Sequence, residues 1–207
     1  MQTLAIFDFD GTITTKDSFE DFILFSNGWL KTIGGLLQEI PALLGYLFGS
    51  MSNSKAKEEI FSRFYKGWTE AQFNLLAHRY AAEKLPNILR SKAMAQIAWH
   101  KREGHKIIVV SASFENYLKV WCDNHDVGLL ATGIEIKEGK LTGNFSTKNC
   151  HGEEKINRIK AAYNLADFEF VYAYGDTKGD LALKAIANEF SYKPFRNYFL
   201  RINSSVE

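Results

Sequence analysis

Residues 4 to 14 read LAIFDFDGTIT: an apolar run that ends in Asp8 and Asp10 with Phe9 between them, followed by Gly11 and Thr12. A strand heading into a core should not finish in two acids unless they are paired, hydrogen-bonded or bound to a metal, because a buried carboxylate is costly otherwise. Carboxylates so placed are the residue type that nucleophilic, acid–base and metal chemistry share. On an extended backbone, side chains two apart project to one side, so Asp8 and Asp10 are expected to face one site while Phe9 points away. Gly11 permits a sharp turn, and Thr12 offers a hydroxyl and a backbone donor. Two further polar clusters close apolar runs downstream: VSAS, with Ser111 directly after KIIVV, and YGDTKGD, with Asp176 and Asp180 after FEFVYAY.

These residues must be positioned by elements that are legible in the pattern. LAIF, KIIVV and FEFVYAY are short, continuous apolar runs, as suits strands of a parallel sheet covered on both faces. Helical spacing lies between them: residues 87 to 102, a segment from about Phe114, GEEKINRIKAAYNL, and a segment from about Lys178. EFSYKPF reads as a last short strand ended by Pro194, and EIKEGKLTGNF as a hairpin turning at Glu138 and Gly139. Alternating strands and helices predict an α/β fold with a Rossmann-like parallel sheet and helices on both faces. Ligands in such folds bind beyond the carboxyl ends of the strands, which is where all three polar clusters fall.

Residues 15 to 86 break the alternation. They carry helical patterns at 29–48, 55–66 and 70–84 and no convincing strand, which predicts an all-helical insert between two parts of the sheet domain, 1–14 and 87–207. In the stretch WLKTIGGLLQEIPALLGYLF, apolar residues recur every three or four positions from Trp29 to Phe48, and Pro41 is expected to kink the helix. Lys31, Glu39 and Pro41 interrupt the run, so a transmembrane span is not expected. The favoured expectation is an apolar face packed on neighbouring helices, with contact to a membrane surface or lipid-like substrate as the alternative.

Lys and Arg number 25 against 24 Asp and Glu, with no long basic block, so an electrostatic grip on nucleic acid is not expected and a small charged ligand suits better. Cys122 and Cys150 are far apart and lack metal-ligand spacing, which fits a reduced compartment, the cytoplasm by default. The amino terminus lacks the pattern of a secretory signal, so export by that route is not expected.

The pentapeptide DFDGT resembles the first motif, DxDGT, of the haloacid dehalogenase-like superfamily. Ser111 is similar to its second-motif serine, Lys155 in NCHGEEKINRIK to its third-motif lysine, and GDTKGD to its fourth motif, GDxxxD. The four motifs stand in the family's order across the sheet domain. The resemblance implies a Mg²⁺-dependent phosphatase. Asp8 is then the nucleophile, forming an aspartyl-phosphate, and Asp10 the acid and base. Asp8 and Asp176 are side-chain ligands of the metal, Asp10 contributes its backbone carbonyl, and Asp180 orients the metal shell. Ser111, Lys155 and Thr12 meet the phosphate. The charge argument agrees: a phosphate monoester brings nearly two negative charges to several acids, and like charges about 4 Å apart repel by ~4 kcal/mol at an effective dielectric near 20. Lys155 alone cannot offset that, whereas Mg²⁺, which takes a few carboxylates plus phosphate oxygen and water, can.

The helical insert resembles the small, C1-type cap of the subgroup that includes phosphoserine phosphatases, in which Asp17 stands where an acid often meets the substrate ammonium. Departures are SAS in place of SGG and Gly179 in place of the asparagine of GDGxND. Arg63 and Lys57 are the candidates for a cap cation, and His151 is expected in a surface loop, with a place near the active site beside Lys155 as the alternative. A small phosphate monoester is thus the expected substrate, with a lipid headgroup phosphate such as phosphatidylglycerophosphate as the runner-up. A receiver-like signalling domain is the rival from another class, but it requires neither Asp10, the GDTKGD pair nor the insert. A phosphosugar mutase on the same fold would return the phosphoryl group to substrate. Oligomeric state is not legible in the sequence.

Overall fold

The computed structural model describes residues 2–38 and 51–196. Five strands form one parallel sheet in the order β3-β2-β1-β6-β7. They are β1 (Gln2–Phe7), β2 (Lys106–Phe114), β3 (Gly128–Thr132), β6 (Phe168–Gly175) and β7 (Glu189–Tyr192). A separate antiparallel hairpin joins β4 (Ile134–Lys137) to β5 (Lys140–Phe145). Its turn carries positive φ at both Glu138 (50°) and Gly139 (70°), the backbone that a two-residue hairpin loop requires.

The apolar runs are buried on both sides, as expected of a covered sheet. Ala5 and Phe7 of β1 join one core cluster while Leu4 and Ile6 join another, and Ile107 and Val109 of β2 separate from Ile108 and Val110 in the same way. Against the first face pack α4 (Ser91–Arg102), through Ala93 and Ile97, and α5 (Glu115–Asn124), through Leu118 and Trp121. Against the second pack α6 (Glu153–Ala162), through Ile159, and the 3-10 helix Lys178–Ala185, through Leu183. Strand order reverses between β1 and β6, and in open α/β sheets ligands bind beyond the carboxyl ends of the strands at such a point.

Helices α1 (Ser18–Gln38, broken at Gly28), α2 (Asn53–Tyr65) and α3 (Glu70–Glu83) occupy the stretch between β1 and β2. Phe22 of α1, Phe61 and Tyr65 of α2, and Phe73 and Tyr80 of α3 interlock as buried rings continuous with the first core cluster. The two ends of this stretch are pinned together: Thr15 N donates to Ile88 O at 2.7 Å, Arg90 N to Ile13 O at 2.8 Å, and Thr14 pairs with Leu89. That pairing is why α4 starts at Ser91 rather than at residue 87, where the spacing placed it.

Trp29, Leu30, Ile33 and Leu37 of α1 are exposed, so these side chains do not show the packing expected of them; Pro41 and the continuation of that apolar stretch to Phe48 lie outside the described residues. Among the described residues no helix is long and apolar enough to cross a membrane. Cys122 and Cys150 are buried and free.

Candidate active site

β1 ends at Phe7, three residues short of Asp10, so the strand carries neither acid. Asp8 is still extended, but residues Phe9–Ile13 form a tight turn of π-helical type closed by Thr14 N donating to Phe9 O at 3.0 Å. Asp8 and Asp10 are therefore placed by an irregular turn rather than by strand alternation, close enough for the charge of Asp10 to act on Asp8, while Phe9 is buried edge-on against Trp121, with ring centroids 5.3 Å apart. Gly11 is required here twice over. Its φ is +76°, and a Cβ on it would fall 2.3 Å from Asp176 Oδ2.

Asp8, Asp176 and Asp180 are buried, and one carboxylate oxygen from each lies within 4.8 Å of the others. Asp8 directly follows β1, Asp176 directly follows β6, and Asp180 stands in the first turn of the 3-10 helix beyond, where it closes a capping box with Thr177. Lys155, at the start of α6 and only 2% exposed, bridges Asp8 Oδ1 at 2.5 Å and Asp180 Oδ1 at 2.6 Å. The Thr12 hydroxyl lies 3.2 Å from Asp8 Oδ2 and 3.5 Å from Asp176 Oδ1. Asp180 Oδ2 accepts from the Thr177 hydroxyl at 2.7 Å and its amide at 2.9 Å.

The charges balance unevenly. Burial raises the Asp8 carboxyl to about 8 despite the pull of Lys155. Burial also pushes at Asp180, but Lys155 and the Thr177 donors more than offset it and hold that carboxyl below its usual value. Lys155 is held charged by its two carboxylates against the opposing effect of burial. Asp10 is raised by burial and by the neighbouring charge of Asp17. Its oxygens are fastened separately: Oδ1 accepts from Ser18 N at 2.7 Å and Oδ2 from Ser113 Oγ at 2.5 Å. Behind them the Ser18 hydroxyl meets Ser113 Oγ and the Tyr117 hydroxyl, each at 3.1 Å.

Ser111 is buried in the stretch of β2 where pairing with β3 is interrupted, between Val110 and Phe114. It accepts the Ser113 amide at 3.0 Å, which leaves its own proton available to a ligand. Asp17 is exposed and accepts from Phe19 N at 2.9 Å and Glu20 N at 3.1 Å, so it caps α1 while its charge also acts on Asp10 and Lys57. Of the two candidate cap cations, Arg63 is exposed on α2, whereas Lys57 donates to Ala112 O at 2.9 Å, above the Phe19 ring. Burial lowers the Lys57 pKa, against the attraction of Asp17, Asp10, Asp8 and Glu20. His151 is exposed as expected, and its ring lies over Gly179, where a Cβ would come within 2.5 Å of it. The absence of a side chain at that position of GDTKGD is what admits the ring.

Three contributors were not among the sequence-derived site residues: Ser18, Ser113 and Arg196. Ser113 had a signal, since it lies two residues from Ser111 on one strand. Arg196 had none; its Nη2 donates to Asp176 Oδ2 at 2.5 Å.

Buried carboxylates gathered on a lysine at the strand ends, with a differently held acid nearby, make this the candidate site for metal-assisted hydrolysis. Residues 5–184 match the family model for haloacid dehalogenase-like hydrolases, and the chain belongs to that family. It is 34% identical over 196 residues to Protein CicA of Caulobacter vibrioides, spanning 93% of this chain and 86% of that one. A probable phosphatase of Mycobacterium tuberculosis is 28% identical over 215 residues, 99% of this chain and 73% of that protein. A probable phosphoserine phosphatase from Vibrio cholerae superposes with a TM-score of 0.69 at 19% identity, over 93% of this chain and 56% of that one, a likeness of fold.

Proposed function

We propose that this protein is a Mg²⁺-dependent, cytoplasmic phosphomonoesterase that hydrolyses a small phosphate monoester through an aspartyl-phosphate on Asp8. The observation that carries this reading is the buried triad Asp8, Asp176 and Asp180 within 4.8 Å, with Lys155 bridging two of its members. Such a cluster is costly unless more positive charge enters, and its donors are the hard oxygens that suit magnesium. Asp8 and Asp176 would hold the ion by their side chains and Asp10 by its backbone carbonyl, with Asp180 orienting the shell. A bound Mg²⁺ supplies the charge that admits a phosphate dianion and that would keep Asp8, whose carboxyl burial otherwise raises to about 8, ionised as the nucleophile.

The rest is done by the chain itself. Thr12, Ser111 and Lys155 hold phosphate oxygens. An Asp8 carboxylate oxygen attacks phosphorus as the ester P–O bond breaks, and the Asp10 carboxyl gives its proton to the departing oxygen. Water then attacks the aspartyl-phosphate and loses a proton to Asp10, which releases inorganic phosphate and restores both acids. The insert, residues 15–86, whose described parts are largely helical, acts as a cap that excludes water during the reaction, hinged where residues 13–15 meet residues 88–90. Asp17 and Lys57 lie toward Asp10 from the insert side, which supports a zwitterionic substrate of the phosphoserine kind. The phosphoserine phosphatase-like fold lends this further support.

One observation favours a second substrate class. The exposed stripe Trp29, Leu30, Ile33 and Leu37 supports action on a lipid headgroup phosphate. Phosphate release from p-nitrophenyl phosphate, phosphoserine and lysophosphatidate, with and without Mg²⁺, tests both. Turnover that is abolished by chelation and by Asp8→Asn supports the phosphatase, and unchanged turnover in Asp8→Asn refutes it. Flotation with anionic liposomes separates the substrate classes, since absence of binding counts against the lipid reading.

A further inference from the structure

Asp176 is gripped at both ends. Its Oδ2 accepts from Arg196 Nη2 at 2.5 Å, while its Oδ1 turns to the Thr12 hydroxyl, the same donor that Asp8 Oδ2 shares. The guanidinium does not arrive by the wandering of a loose side chain. The turn after β7 is tied down by Lys193 N donating to Gly175 O at 2.8 Å. Phe195 is buried against Phe7 and Tyr174, the residues just before Asp8 and two before Asp176. Arg196 follows directly, with its side chain 41% exposed overall but its Nε buried without a partner.

We propose that Arg196 is a positioning residue for the cation site. By holding Asp176 Oδ2, it turns Oδ1 toward Asp8 and fixes the rotamer in which both carboxylates present an oxygen to the same ion. This rests on the reading that Asp8 and Asp176 share a divalent cation. A carboxylate that ligates a metal through one oxygen is commonly oriented by a hydrogen bond to the other, and loss of such a partner weakens metal affinity. Charge alone predicts the reverse sign: a guanidinium so close repels a cation, so its removal should tighten binding. The sign of the change therefore separates a positioning group from a competitor that merely fills the site.

The test measures the metal alone, by calorimetric titration of the full chain with Mg²⁺ and by paramagnetic resonance with Mn²⁺, in wild type, Arg196→Ala, Arg196→Lys and Asp176→Asn. Arg196→Ala is expected to raise the dissociation constant by about 10-fold or more, and Arg196→Lys, which keeps a charged donor, to recover part of it. In parallel, the Mg²⁺ concentration for half-maximal p-nitrophenyl phosphate turnover should rise in Arg196→Ala while kcat at saturating Mg²⁺ stays within about 3-fold, since losing the group that holds Asp176 acts on metal affinity. Should Arg196→Ala not fold, Arg196→Gln supplies the same comparison. Unchanged or tighter metal binding in the folded variant overturns the proposal. Retention of wild-type affinity by Asp176→Asn overturns the shared-cation reading instead, and the proposal with it.

Discussion

The Ser113 hydroxyl donates to Asp10 Oδ2 at 2.5 Å, and the Ser18 amide takes the other oxygen of the same carboxylate at 2.7 Å. Asp10 is thus bound to β2 on one side and to the start of α1 on the other, while Asp8 is bound to α6 through Lys155. Two acids separated by one residue are given different partners, and so different work.

Ser113→Ala should loosen Asp10 without touching Asp8. A hydrogen bond to a charged group contributes about 1.5–3 kcal/mol, so kcat is expected to fall about 10- to 100-fold for an alkyl phosphate, whose leaving oxygen needs a proton. For p-nitrophenyl phosphate, which leaves without one, the fall should be several-fold at most. Steady-state rates on both substrates check this, and equal losses would contradict it.

Lys155 is the counter-charge of two buried carboxylates, and Lys155→Met leaves both without it. Breaking a buried pair from one side costs about 3–5 kcal/mol, so urea unfolding of the metal-free variant should show a loss of that order. Addition of Mg²⁺ should recover more stability in the variant than in the wild type. A midpoint within error of wild type would contradict the assignment.

A second buried network lies beneath the strands. Gln96 Nε2 donates to the Tyr174 hydroxyl, which leaves that hydroxyl proton for His100 Nε2 at 2.9 Å and His100 Nδ1–H for His105 Nδ1 at 2.8 Å. Burial, with the neighbouring charge of His105, lowers the His100 pKa to about 4 from an ordinary 6.5. Because the folded value lies below the unfolded one, the unfolded chain binds more protons between them. The stabilisation from neutral His100 is complete above about pH 6.5 and is lost as pH falls toward 4, by about 3 kcal/mol at most. Unfolding free energies at pH 7 and pH 5 should therefore differ more in wild type than in His100→Gln. Equal differences would place the pH sensitivity elsewhere.

Much of the site was legible because its residues are local to strand ends. Asp8, Asp10 and Thr12 sit in one pentapeptide, and Asp176 and Asp180 in one hexapeptide, each after a continuous apolar run that could be read as a buried strand. What alternation alone could not give was the turn: the reading of Asp8 and Asp10 as same-side strand residues assumed the wrong backbone, since β1 stops at Phe7. Asp17 shows another limit. Its capping of α1 follows from its position, whereas its influence on Asp10 depends on where α1 lies in space. Arg196 was illegible for a third reason. It stands 20 residues from Asp176, and only the pairing of β7 with β6 brings the two together. The exposure of Trp29 and Leu30 runs against the favoured reading of a packed face, because periodicity identifies an apolar face but not what covers it.

The central claim is that Asp8 carries the phosphoryl group, and trapping that group tests it most directly. The enzyme, turning over p-nitrophenyl phosphate with Mg²⁺, is quenched into hydroxylamine, and the modified residue is located by peptide mass spectrometry. Conversion of Asp8 to its hydroxamate, dependent on substrate and absent in Asp8→Asn, is the predicted result. Sustained phosphate release with no modification at Asp8, or with the modification at another residue, would contradict it.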